Sequence, residues 1–437
     1  MNYFVQPSQK LTGELFPPGD KSISHRLAIL GALSTGDTII GNYCPGQDFQ
    51  STLNVLSDLD IDYRMVNDDI IIRGRGLYGF KDPHKVLNAG NSGTTLRLMT
   101  GILASQKFVS TITGDDSLIQ RPMKRIIEPL MLMGAQIQAR NNNFPPLSIR
   151  GTFLKPINYI LPLASAQVKS ALLLAALLTQ GTTRICDPFN SRNHTENLLP
   201  FFKADFSYEK NWLIVNGNHP MRGIKYNVPG DISSAAFFIA AALMLPGSSL
   251  IIRNVGLNPT RTGLLEVLDK MKAQVTITNE RNIGNEDLGD IQVSYSDLVS
   301  ITITKELIPT IIDELPIIAV LATQAKGLTI VKDAKELRHK ETDRITAMVY
   351  NLSQLGIKIN ELEDGFTIKG PQKIIGGTVD SFGDHRIAMC MAIAGLASLE
   401  GVLINDAECI SISYPQFFDT LDFIGSAQVL EGVHKIK

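Results

Sequence analysis

The feature of the 437-residue sequence that most constrains its fold is a pattern that recurs six times. Each copy contains an apolar segment rich in alanine and leucine, followed by a small polar turn and a β-branched strand. The apolar segments begin at His25, Thr95, Ala171, Ala236, Pro316 and Arg386. Because each segment is hydrophobic nearly all round, we predict that it forms a helix buried inside a domain.

A second set of six segments alternates with the first and has the periodicity of amphipathic helices. These segments begin at Asp48, Arg121, His194, Thr260, Glu341 and Tyr414. Each runs into a strand, and often into a further one, so the predicted repeat is strand–helix–strand–helix–strand–strand. The repeat is longer than those of solenoids, and six copies in one chain predict two domains of three repeats each.

Composition narrows the class of protein. A formal net charge of −2 and a pI near 6.4 argue against binding to nucleic acid or to an anionic membrane. The four cysteines are scattered without a CxxC pair, as in reduced cytosolic proteins. The start has no signal-peptide pattern, and the longest apolar run is shorter than the ~20 residues of a membrane span. We therefore expect a cytoplasmic protein with neither a nucleic-acid nor a membrane partner.

The residues at the starts of the buried helices are candidates for a binding site. Glycine and hydroxyl residues precede them in "PGDKSIS", "NAGNSGTT", "LASAQVKS" and "VPGDISS", where free N–H groups and the helix dipole favour anions. Simple N-capping would explain each start taken alone. Four cations also lie on or beside these starts: Lys21, Arg26, Arg97 and Arg386. Capping does not explain them, because the like-signed dipole disfavours a cation there unless an anion binds.

Two stretches sharpen this interpretation. In "DKSISHR", Ser22 and Arg26 share a helix face at i and i+4, and Lys21 lies in the same first turn. In "GNSGTTLR", Gly90 and Gly93 let the backbone approach a ligand closely, while Thr94 and Arg97 share a helix face at i and i+3. Both patterns indicate anion binding at a helix start.

Three further cations stand in unusual places. In "RHKETDR", Lys340 and Arg344 are like charges at i and i+4, which costs an isolated helix ~0.2–0.5 kcal/mol. A dianion bound between them and a solvated basic face both fit this spacing. Arg121 directly precedes Pro122 at another helix start. Taken together, these sites call for more than one phosphate or carboxylate.

Several catalytic motifs are missing from the sequence. It contains no GxxxxGK[ST], HExxH or GxSxG pattern, which argues against P-loop chemistry, a helical zinc site and a nucleophile elbow. Acid–base chemistry on an anionic substrate remains, with Asp313 and Glu341 as the carboxylates among the cations. Asp313 is equally compatible with capping the helix of "DELPIIAVLA", and Glu341 with pairing Lys340 or Arg344.

The motifs, in order, resemble those of the 5-enolpyruvylshikimate-3-phosphate synthases. The matching stretches include "PGDKSISHR", "NAGNSGTTLRL", "ASAQVKSALLLA", "SRNHTE", "VPGDISSAAFF", "NPTRTG", "LRHKETDR" and "DHRIAM". They run from residue 17 to about residue 390, which is nearly the whole chain. The forms "ASAQVKS" and "NPTRTG" resemble the second class of these enzymes more than the first.

The resemblance implies an α/β fold of two domains, the inside-out α/β barrel of the enolpyruvyl transferases, with six βαβαββ repeats and three per domain. It implies that domain I comprises residues 1–19 and 230–437, and domain II residues 20–229. The chain would then cross between the domains at hinges near Gly19 and Pro229.

The resemblance also implies the activity. The family moves the carboxyvinyl group of phosphoenolpyruvate onto the 5-hydroxyl of shikimate 3-phosphate and releases phosphate, a step of the shikimate pathway towards chorismate and the aromatic amino acids. It is the target of glyphosate. We expect a monomer that binds these two small molecules and needs neither a metal nor an organic cofactor, since the leaving group is already activated and cations stabilise the developing charge.

Site residues follow from the resemblance, motif by motif. Shikimate 3-phosphate would be bound by Lys21, Ser22, Arg26, Ser165, Gln167, Ser191, Asp313 and Lys340. Phosphoenolpyruvate would be bound by Lys21, Gly93, Arg121, Gln167, Arg344 and Arg386. The catalytic residues would be Lys21, Asp313, Glu341 and His385. Asp313 would take the proton of the attacking oxygen, and Glu341 would protonate the methylene carbon and later deprotonate the methyl.

Some positions depart from the family pattern or suggest rivals. Ile412 stands where first-class members place a lysine near phosphoenolpyruvate, and Asn193 and His194 occupy the site after "SR" where the first class has a tyrosine. One rival is the sister enzyme that acts on UDP-N-acetylglucosamine, which carries a cysteine at the position of Asp116. Another is a non-catalytic phosphometabolite-binding protein, against which the presence of Asp313 and Glu341 argues. From Gly93 and the second-class motifs together, we expect intermediate sensitivity to glyphosate.

Overall fold

The computed structural model describes residues 1–425 and 429–432, and its contacts divide the chain into two compact units. Unit 1 comprises Met1–Pro18, Pro229–Asn282 and Asp287–Lys437. Unit 2 comprises Gly19–Val228 and the short segment Ile283–Glu286. Nothing in the sequence pattern predicts that this segment belongs to unit 2.

The helices follow the predicted alternation of buried and amphipathic segments. The α-helices of the described residues are α1 (Lys21–Leu33), α2 (Gln47–Asp58), α3 (Gly93–Leu103), α4 (Lys124–Leu132), α5 (Ala166–Leu177), α6 (His194–Leu198), α7 (Ile232–Met244), α8 (Gly263–Lys270), α9 (Ile308–Ile311), α10 (Leu315–Ala322), α11 (Arg344–Gln354), α12 (His385–Leu396) and α13 (Phe417–Ile424). Short 3₁₀ helices span Leu118–Gln120, Lys335–His339 and Ala407–Ile412.

The strands fall between these helices in the predicted order. They are β1 (Tyr3–Val5), β2 (Thr12–Leu15), β3 (Thr35–Gly41), β4 (Tyr63–Val66), β5 (Asp69–Arg75), β6 (Leu87–Asn88), β7 (Val109–Thr113), β8 (Gln136–Arg140), β9 (Phe144–Arg150), β10 (Asn158–Ile160), β11 (Gly181–Cys186), β12 (Phe206–Glu209), β13 (Trp212–Gly217), β14 (Lys225–Asn227), β15 (Ser249–Gly256), β16 (Gln274–Ile283), β17 (Glu286–Ser294), β18 (Thr302–Ile303), β19 (Gly327–Val331), β20 (Ile359–Leu362), β21 (Gly365–Gly370), β22 (Gly377–Asp380), β23 (Val402–Asn405) and β24 (Val429–Glu431).

The strands form six four-stranded sheets, one for each repeat. The strand orders in unit 2 are β14-β3-β5-β4, β6-β7-β9-β8 and β10-β11-β13-β12. Those in unit 1 are β16-β17-β15-β2, β18-β19-β21-β20 and β22-β23-β1-β24. Each sheet has a parallel pair at one edge, such as β6 with β7, and four of these pairs are joined by a buried helix. This is the arrangement that a βαβ crossover requires.

Two of the sheets exchange their parallel edge strand. In chain order β2 precedes α1 and β14 precedes α7, yet β2 pairs with β15, and β14 pairs with β3. Thr12 thus lies opposite Ser249, and Lys225 lies opposite Ile39. The chain therefore leaves unit 1 after β2 and returns to it after β14.

Each unit has its own hydrophobic core, built around three buried helices. They are α1, α3 and α5 in unit 2, and α7, α10 and α12 in unit 1. Every residue of α7 is buried, which agrees with its composition of alanine, phenylalanine and isoleucine. The helices lie inside and the sheets outside, so the site residues that precede or begin these helices sit at the ends of the two cores. Within residues 1–425 and 429–432, no helix combines the length and the hydropathy that a membrane span requires.

Candidate active site

Lys21 lies in the first turn of α1, in unit 2. The N-cap residue Asp20 accepts a hydrogen bond from the backbone N–H of Ile23 at 2.9 Å. Asp20 therefore caps the helix, and Lys21 has no part in the cap. Lys21 Nζ forms an ion pair with Asp48 Oδ2 at 2.9 Å, and Asp48 belongs to the first turn of α2. The carboxylate of Asp48 is a partner that the sequence analysis missed.

Arg26 is buried one turn further along α1. Its Nε donates to Thr195 Oγ1 at 2.7 Å, and its Nη2 donates to Ser170 Oγ at 2.8 Å. Its Nη1 donates to the main-chain oxygen of Ser22 at 2.9 Å. The predicted pairing of Ser22 and Arg26 is thus present, but it runs through the carbonyl group of Ser22. The other two bonds tie α1 to the helices α5 and α6.

His25 is fully buried next to these cations. Its Nδ1 lies 2.6 Å from Thr52 Oγ1. Burial, and then the charges of Lys21 and Arg26, lower the pKa of His25 well below its usual value. The imidazole is therefore neutral at pH 7, and it adds no charge to the start of α1.

The start of α3 brings two guanidinium groups beside a glycine. Ser92 is the N-cap and accepts a hydrogen bond from the N–H of Thr95 at 3.1 Å. A Cβ atom at Gly93 would lie 2.8 Å from Arg97 Nη1 and 3.6 Å from Arg121 Nη1. The absence of a side chain at Gly93 therefore leaves room for both cations to stand close to the backbone.

Arg121 is attached to the loop that precedes α3. Its Nη2 donates to Asn91 Oδ1 at 2.7 Å and to Ser117 Oγ at 3.1 Å. Its Nη1 donates to the main-chain oxygen of Asn91 at 3.3 Å. Arg121 is 7% exposed, and these hydrogen bonds hold its guanidinium in place.

The start of α5 joins the same group. Ser165 caps the helix and accepts from the N–H of Val168 at 3.4 Å. Gln167 Nε2 donates to Thr94 Oγ1 at 3.0 Å, and Gln167 Oε1 accepts a short hydrogen bond from Arg97 Nη1. Gln167, predicted to contact both substrates, lies in the first turn of α5 and connects it to α3. Arg97 is an additional cation here that was not among the predicted ligands.

Ser191 is held by a buried ion-pair group. Its hydroxyl and its N–H donate to Asp187 Oδ2 at 2.6 and 2.9 Å, and its carbonyl accepts from Lys169 Nζ at 2.8 Å. Lys169 Nζ also pairs with Asp187 and with Glu196, at 2.8 and 2.7 Å. Burial acts to raise the pKa of Asp187, but Lys169 and the hydrogen bonds outweigh it and lower that pKa. The Ser191 hydroxyl must turn away from Asp187 before it can donate to an anion.

Arg344, the first residue of α11 in unit 1, is surrounded by carboxylates. Its Nε donates to Asp384 Oδ2 at 2.7 Å, and its Nη2 donates to Glu341 Oε2 at 2.6 Å. Its Nη1 lies 3.3 Å from Asp313 Oδ1. Burial disfavours the charge of Arg344, but the three carboxylates outweigh this effect and raise its pKa. The guanidinium is therefore a fixed positive charge at the centre of the group.

The interpretation of Lys340 and Arg344 as like charges on one helix is wrong. The helix begins at Arg344, with Asp343 as its N-cap, and Lys340 lies before it, just after a 3₁₀ turn. Lys340 Nζ lies 3.2 Å from Asp313 Oδ1, the same oxygen that Arg344 contacts. The carboxylate of Asp313 thus lies between the two cations. A dianion bound between Lys340 and Arg344 was one of the two interpretations of their spacing.

The two open alternatives for the carboxylates have separate outcomes. The N-cap residue of α10 is Glu314 and its side chain makes no capping bond, so Asp313 does not cap this helix. Glu341 does pair with Arg344, as its alternative proposed. The pairing does not exclude acid–base chemistry by Glu341, because its partner Arg344 is itself a predicted ligand of phosphoenolpyruvate.

The start of α12 completes the group in unit 1. Asp384 is the N-cap and accepts from the N–H of Arg386 at 2.8 Å while it binds Arg344. Arg386 Nη1 donates to the main-chain oxygen of Asp313 at 2.9 Å and lies 3.6 Å from Glu314 Oε1. His385 is buried between Asp384 and Arg386 in the chain.

The residues that the sequence analysis missed are mostly the partners of the predicted cations. Asp384 and Glu314 are sequence neighbours of the predicted site residues His385 and Asp313, so the sequence alone places them close to the site. Asp48 and Asp187 lie far along the chain from Lys21 and Lys169, and no local spacing signals them. Among the residues that the structure describes, no three His, Cys, Asp or Glu side chains come together as a metal site.

The two groups have different chemical capacities. The group in unit 2 presents cations and N–H groups at helix starts, which suits the binding of phosphate and carboxylate. The group in unit 1 combines cations with carboxylates that can exchange protons, which suits acid–base catalysis next to an anion.

Comparison with known proteins gives a family match over nearly the whole chain. The family described as EPSP synthase (3-phosphoshikimate 1-carboxyvinyltransferase) matches residues 5–421. A relative from Petrotoga mobilis, named 3-phosphoshikimate 1-carboxyvinyltransferase, is 50% identical over 431 residues, covering 98% of this chain and 100% of the relative.

Solved structures agree with this match. EPSP synthase from Acinetobacter baumannii is 40% identical, with a TM-score of 0.87 and coverage of 98% of this chain and 100% of that one. The enolpyruvyl transferase NikO from Streptomyces tendae is 15% identical and covers 99% of both chains, with a TM-score of 0.79. At that identity the likeness concerns the fold alone. The predicted enolpyruvyl transferase fold, with its six repeats, is confirmed.

Proposed function

The chain belongs to the EPSP synthase family, and we propose that it transfers the carboxyvinyl group of phosphoenolpyruvate to the 5-hydroxyl of shikimate 3-phosphate and releases phosphate. This is the shikimate-pathway step that leads to chorismate and the aromatic amino acids. The observation that carries the proposal is the cluster of Asp313, Lys340, Glu341 and Arg344, on a chain that matches the family over nearly its full length.

Shikimate 3-phosphate is bound mainly by the helix starts of unit 2. Its phosphate meets Lys21, Ser22 and Arg26 at the start of α1, together with Ser165, Gln167 and Ser191. The burial of Arg26 and its bonds to Thr195 and Ser170 support this role, because a pre-ordered guanidinium loses little entropy when it binds phosphate. The hydroxyl groups of the ring meet Asp313 and Lys340.

Phosphoenolpyruvate is bound by cations of both units. These ligands are Lys21, Gly93, Arg121, Gln167, Arg344 and Arg386. The space beside Gly93 supports a close approach of the substrate to the backbone of α3. The fixed charge of Arg344 supports its role, since an anion can share a guanidinium that is already held by carboxylates.

The reaction proceeds by addition and elimination. Asp313 takes the proton from the 5-hydroxyl group while the hydroxyl oxygen attacks phosphoenolpyruvate. Glu341 protonates the methylene carbon, which becomes a methyl group. Glu341 then removes a proton from this methyl as phosphate leaves, which restores the double bond. The ion pairs with Lys340 and Arg344 support the role of Asp313 because they hold its carboxylate in place. Lys21 stabilises developing negative charge, and His385 assists beside Arg386.

The same proposal extends to the setting of the enzyme. We infer that it works in the cytoplasm as a monomer, with two domains that the chain links at crossings near Gly19 and Pro229. The boundaries of the two compact units at Pro18 and Pro229 support this division. The resemblance implies no metal or organic cofactor, and the cations supply the electrostatic stabilisation that the reaction needs.

A phosphate-release assay tests the function directly. Purified protein is given phosphoenolpyruvate together with either shikimate 3-phosphate or UDP-N-acetylglucosamine. We expect release with shikimate 3-phosphate alone. Release with only the nucleotide sugar would favour the sister activity, and binding of shikimate 3-phosphate without any release would favour a non-catalytic binding protein.

A further inference from the structure

Glu314 is a buried carboxylate beside the proposed base, and the mechanism above gives it no role. The residue is 1% exposed. It occupies the N-cap position of α10, but its side chain makes no capping hydrogen bond. The usual N-cap residues are Ser, Thr, Asp and Asn, so capping does not account for a glutamate at this position. Since a buried charge is costly unless its neighbours compensate it, the neighbours of Glu314 define its role.

The first neighbour is the hydroxyl of Ser233 in the first turn of α7. Ser233 Oγ forms a short hydrogen bond with Glu314 Oε1. The same hydroxyl accepts from Arg261 Nη2 at 2.6 Å, and a guanidinium can only donate. The proton of the Ser233 hydroxyl is therefore directed at Glu314. This bond fixes the position of Glu314 Oε1 from the side of α7.

The second neighbour is Arg386 in the first turn of α12. Arg386 Nη1 lies 3.6 Å from Glu314 Oε1 and donates to the main-chain oxygen of Asp313 at 2.9 Å. Asp313 and Glu314, which are adjacent in the sequence, thus both lie close to Arg386 Nη1. Arg386 lies where the helix dipole disfavours a cation, and Glu314 is a nearby carboxylate that offsets this. With Nη1 engaged, we expect Nε and Nη2 to offer the bidentate contact with an anion.

We propose that Glu314 is a positioning residue that holds the guanidinium of Arg386 in the orientation that binds phosphoenolpyruvate. The inference rests on the proposed function, in which Arg386 is a ligand of that substrate. Glu314 acts through Arg386 and does not itself touch the substrate. Its charge orients one cation, and its bond to Ser233 keeps that charge in place.

The exchange of Glu314 for glutamine separates this role from simple neutralisation. Glu314→Gln removes the negative charge but keeps the size of the side chain and an oxygen for Ser233. If Glu314 only neutralised the site, its loss would strengthen the attraction for an anion, and the KM for phosphoenolpyruvate would fall. If Glu314 positions Arg386, the KM for phosphoenolpyruvate rises, because a misplaced ligand binds the substrate less well.

The test measures both KM values and kcat of wild type and Glu314→Gln by phosphate release. We expect the KM for phosphoenolpyruvate to rise about 10- to 100-fold at saturating shikimate 3-phosphate, and the KM for shikimate 3-phosphate to change less than about 2-fold. Glu266→Gln is the matched control, since Glu266 pairs with Lys270 on the surface of the same unit. It should leave both KM values unchanged. A KM for phosphoenolpyruvate that is unchanged or lower in Glu314→Gln would overturn the inference.

A double-mutant cycle shows whether the effect runs through Arg386. In an Arg386→Ala background, Glu314→Gln should no longer raise the KM for phosphoenolpyruvate. Additive effects would mean that Glu314 acts by another route, and the inference would fail. Should Glu314→Gln not fold, Ser233→Ala offers a second variant, for which we expect a smaller rise of the same KM. An unchanged KM in Ser233→Ala would count against the proposal.

The assay keeps the two proposals apart. A wild-type protein that releases no phosphate from these substrates would overturn the proposed function and, with it, this inference. An active wild type with no rise of KM in Glu314→Gln would overturn the role of Glu314 alone.

Discussion

Glu341 Oε2 lies 2.6 Å from Arg344 Nη2, so the proposed proton donor rests against a predicted ligand of phosphoenolpyruvate. The guanidinium of Arg344 is itself held by Asp384, so this contact keeps the carboxylate of Glu341 in a fixed place. In the proposed mechanism, proton transfer and substrate binding thus take place at neighbouring side chains.

Exchange of Glu341 for glutamine should separate binding from chemistry. Glu341→Gln keeps an oxygen for Arg344 but cannot transfer a proton. We expect kcat to fall about 10²- to 10⁴-fold, with both KM values changed little. Steady-state phosphate release measures these values, and Glu363→Gln, at an exposed pair with Lys335, is the control. A raised KM with unchanged kcat would make Glu341 a purely structural partner of Arg344.

Loss of Lys21 should damage both binding and rate. Lys21→Ala removes a proposed ligand of both substrates and leaves the carboxylate of Asp48 without this cation at the start of α1. We expect both KM values to rise and kcat to fall. Lys85→Ala, which breaks an exposed pair with Asp58, should leave the kinetics unchanged. A Lys21→Ala variant that loses rate but keeps both KM values would show that Lys21 acts only on the transition state.

A methyl group at position 93 should disturb the phosphoenolpyruvate site selectively. In Gly93→Ala the new Cβ would stand 2.8 Å from Arg97 Nη1, so the end of this side chain must move. We expect the KM for phosphoenolpyruvate to rise about 10-fold and the KM for shikimate 3-phosphate to change less. The thermal unfolding midpoint should stay close to that of the wild type, because a flexible side chain can yield. An equal rise of both KM values would place the damage elsewhere.

His25 should make the protein less stable in mild acid. An unfolded histidine has a pKa of about 6.5, and burial lowers the pKa of His25 in the folded chain. Below about pH 6.5, therefore, His25 binds a proton in the unfolded chain but not in the folded chain. The free energy of unfolding then falls by up to about 1.4 kcal/mol per pH unit, until the pH reaches the pKa of His25 in the folded chain.

The variant His25→Gln isolates this contribution. It should lose less stability than the wild type between about pH 7.5 and about pH 5.5. Thermal unfolding midpoints at both values give the comparison, since the other histidines contribute to both proteins alike. Equal losses would mean that His25 titrates normally in the folded state.

The sequence predicted the buried helices well but not the length of one outer helix. Helix α7 is apolar on every side, and such a pattern over a helical length is compatible only with full burial. Helix α6 is shorter than the other outer helices of unit 2, although it begins at His194 as predicted. It ends at Leu198, and Pro200 follows, which cannot continue the helical hydrogen bonds.

The site was predictable where its chemistry is unusual, and hidden where it depends on distant contacts. Cations at helix starts conflict with the dipole, so Lys21 and Arg386 were visible in the sequence alone. The partner Asp48 follows no such rule, since an acidic residue in a first helical turn is common and Asp48 lies far along the chain from Lys21. The start of α11 was misplaced, although Asp343 accepts from the first N–H groups of the helix as a typical cap.

The exchange of β2 and β14 also sets the order in which the chain can fold during synthesis. All strands of the unit 2 sheets have been synthesised once β14 is made, so these sheets can close early. Strand β1, in contrast, pairs with β23 and β24, and β2 pairs with β15. Until those strands emerge, the N-terminal arm carries unpaired strand edges, which are sites of aggregation. The first strand to be translated is thus among the last to find its partners, and a ribosome that stalls before Val402 releases a chain in which β1 cannot be placed.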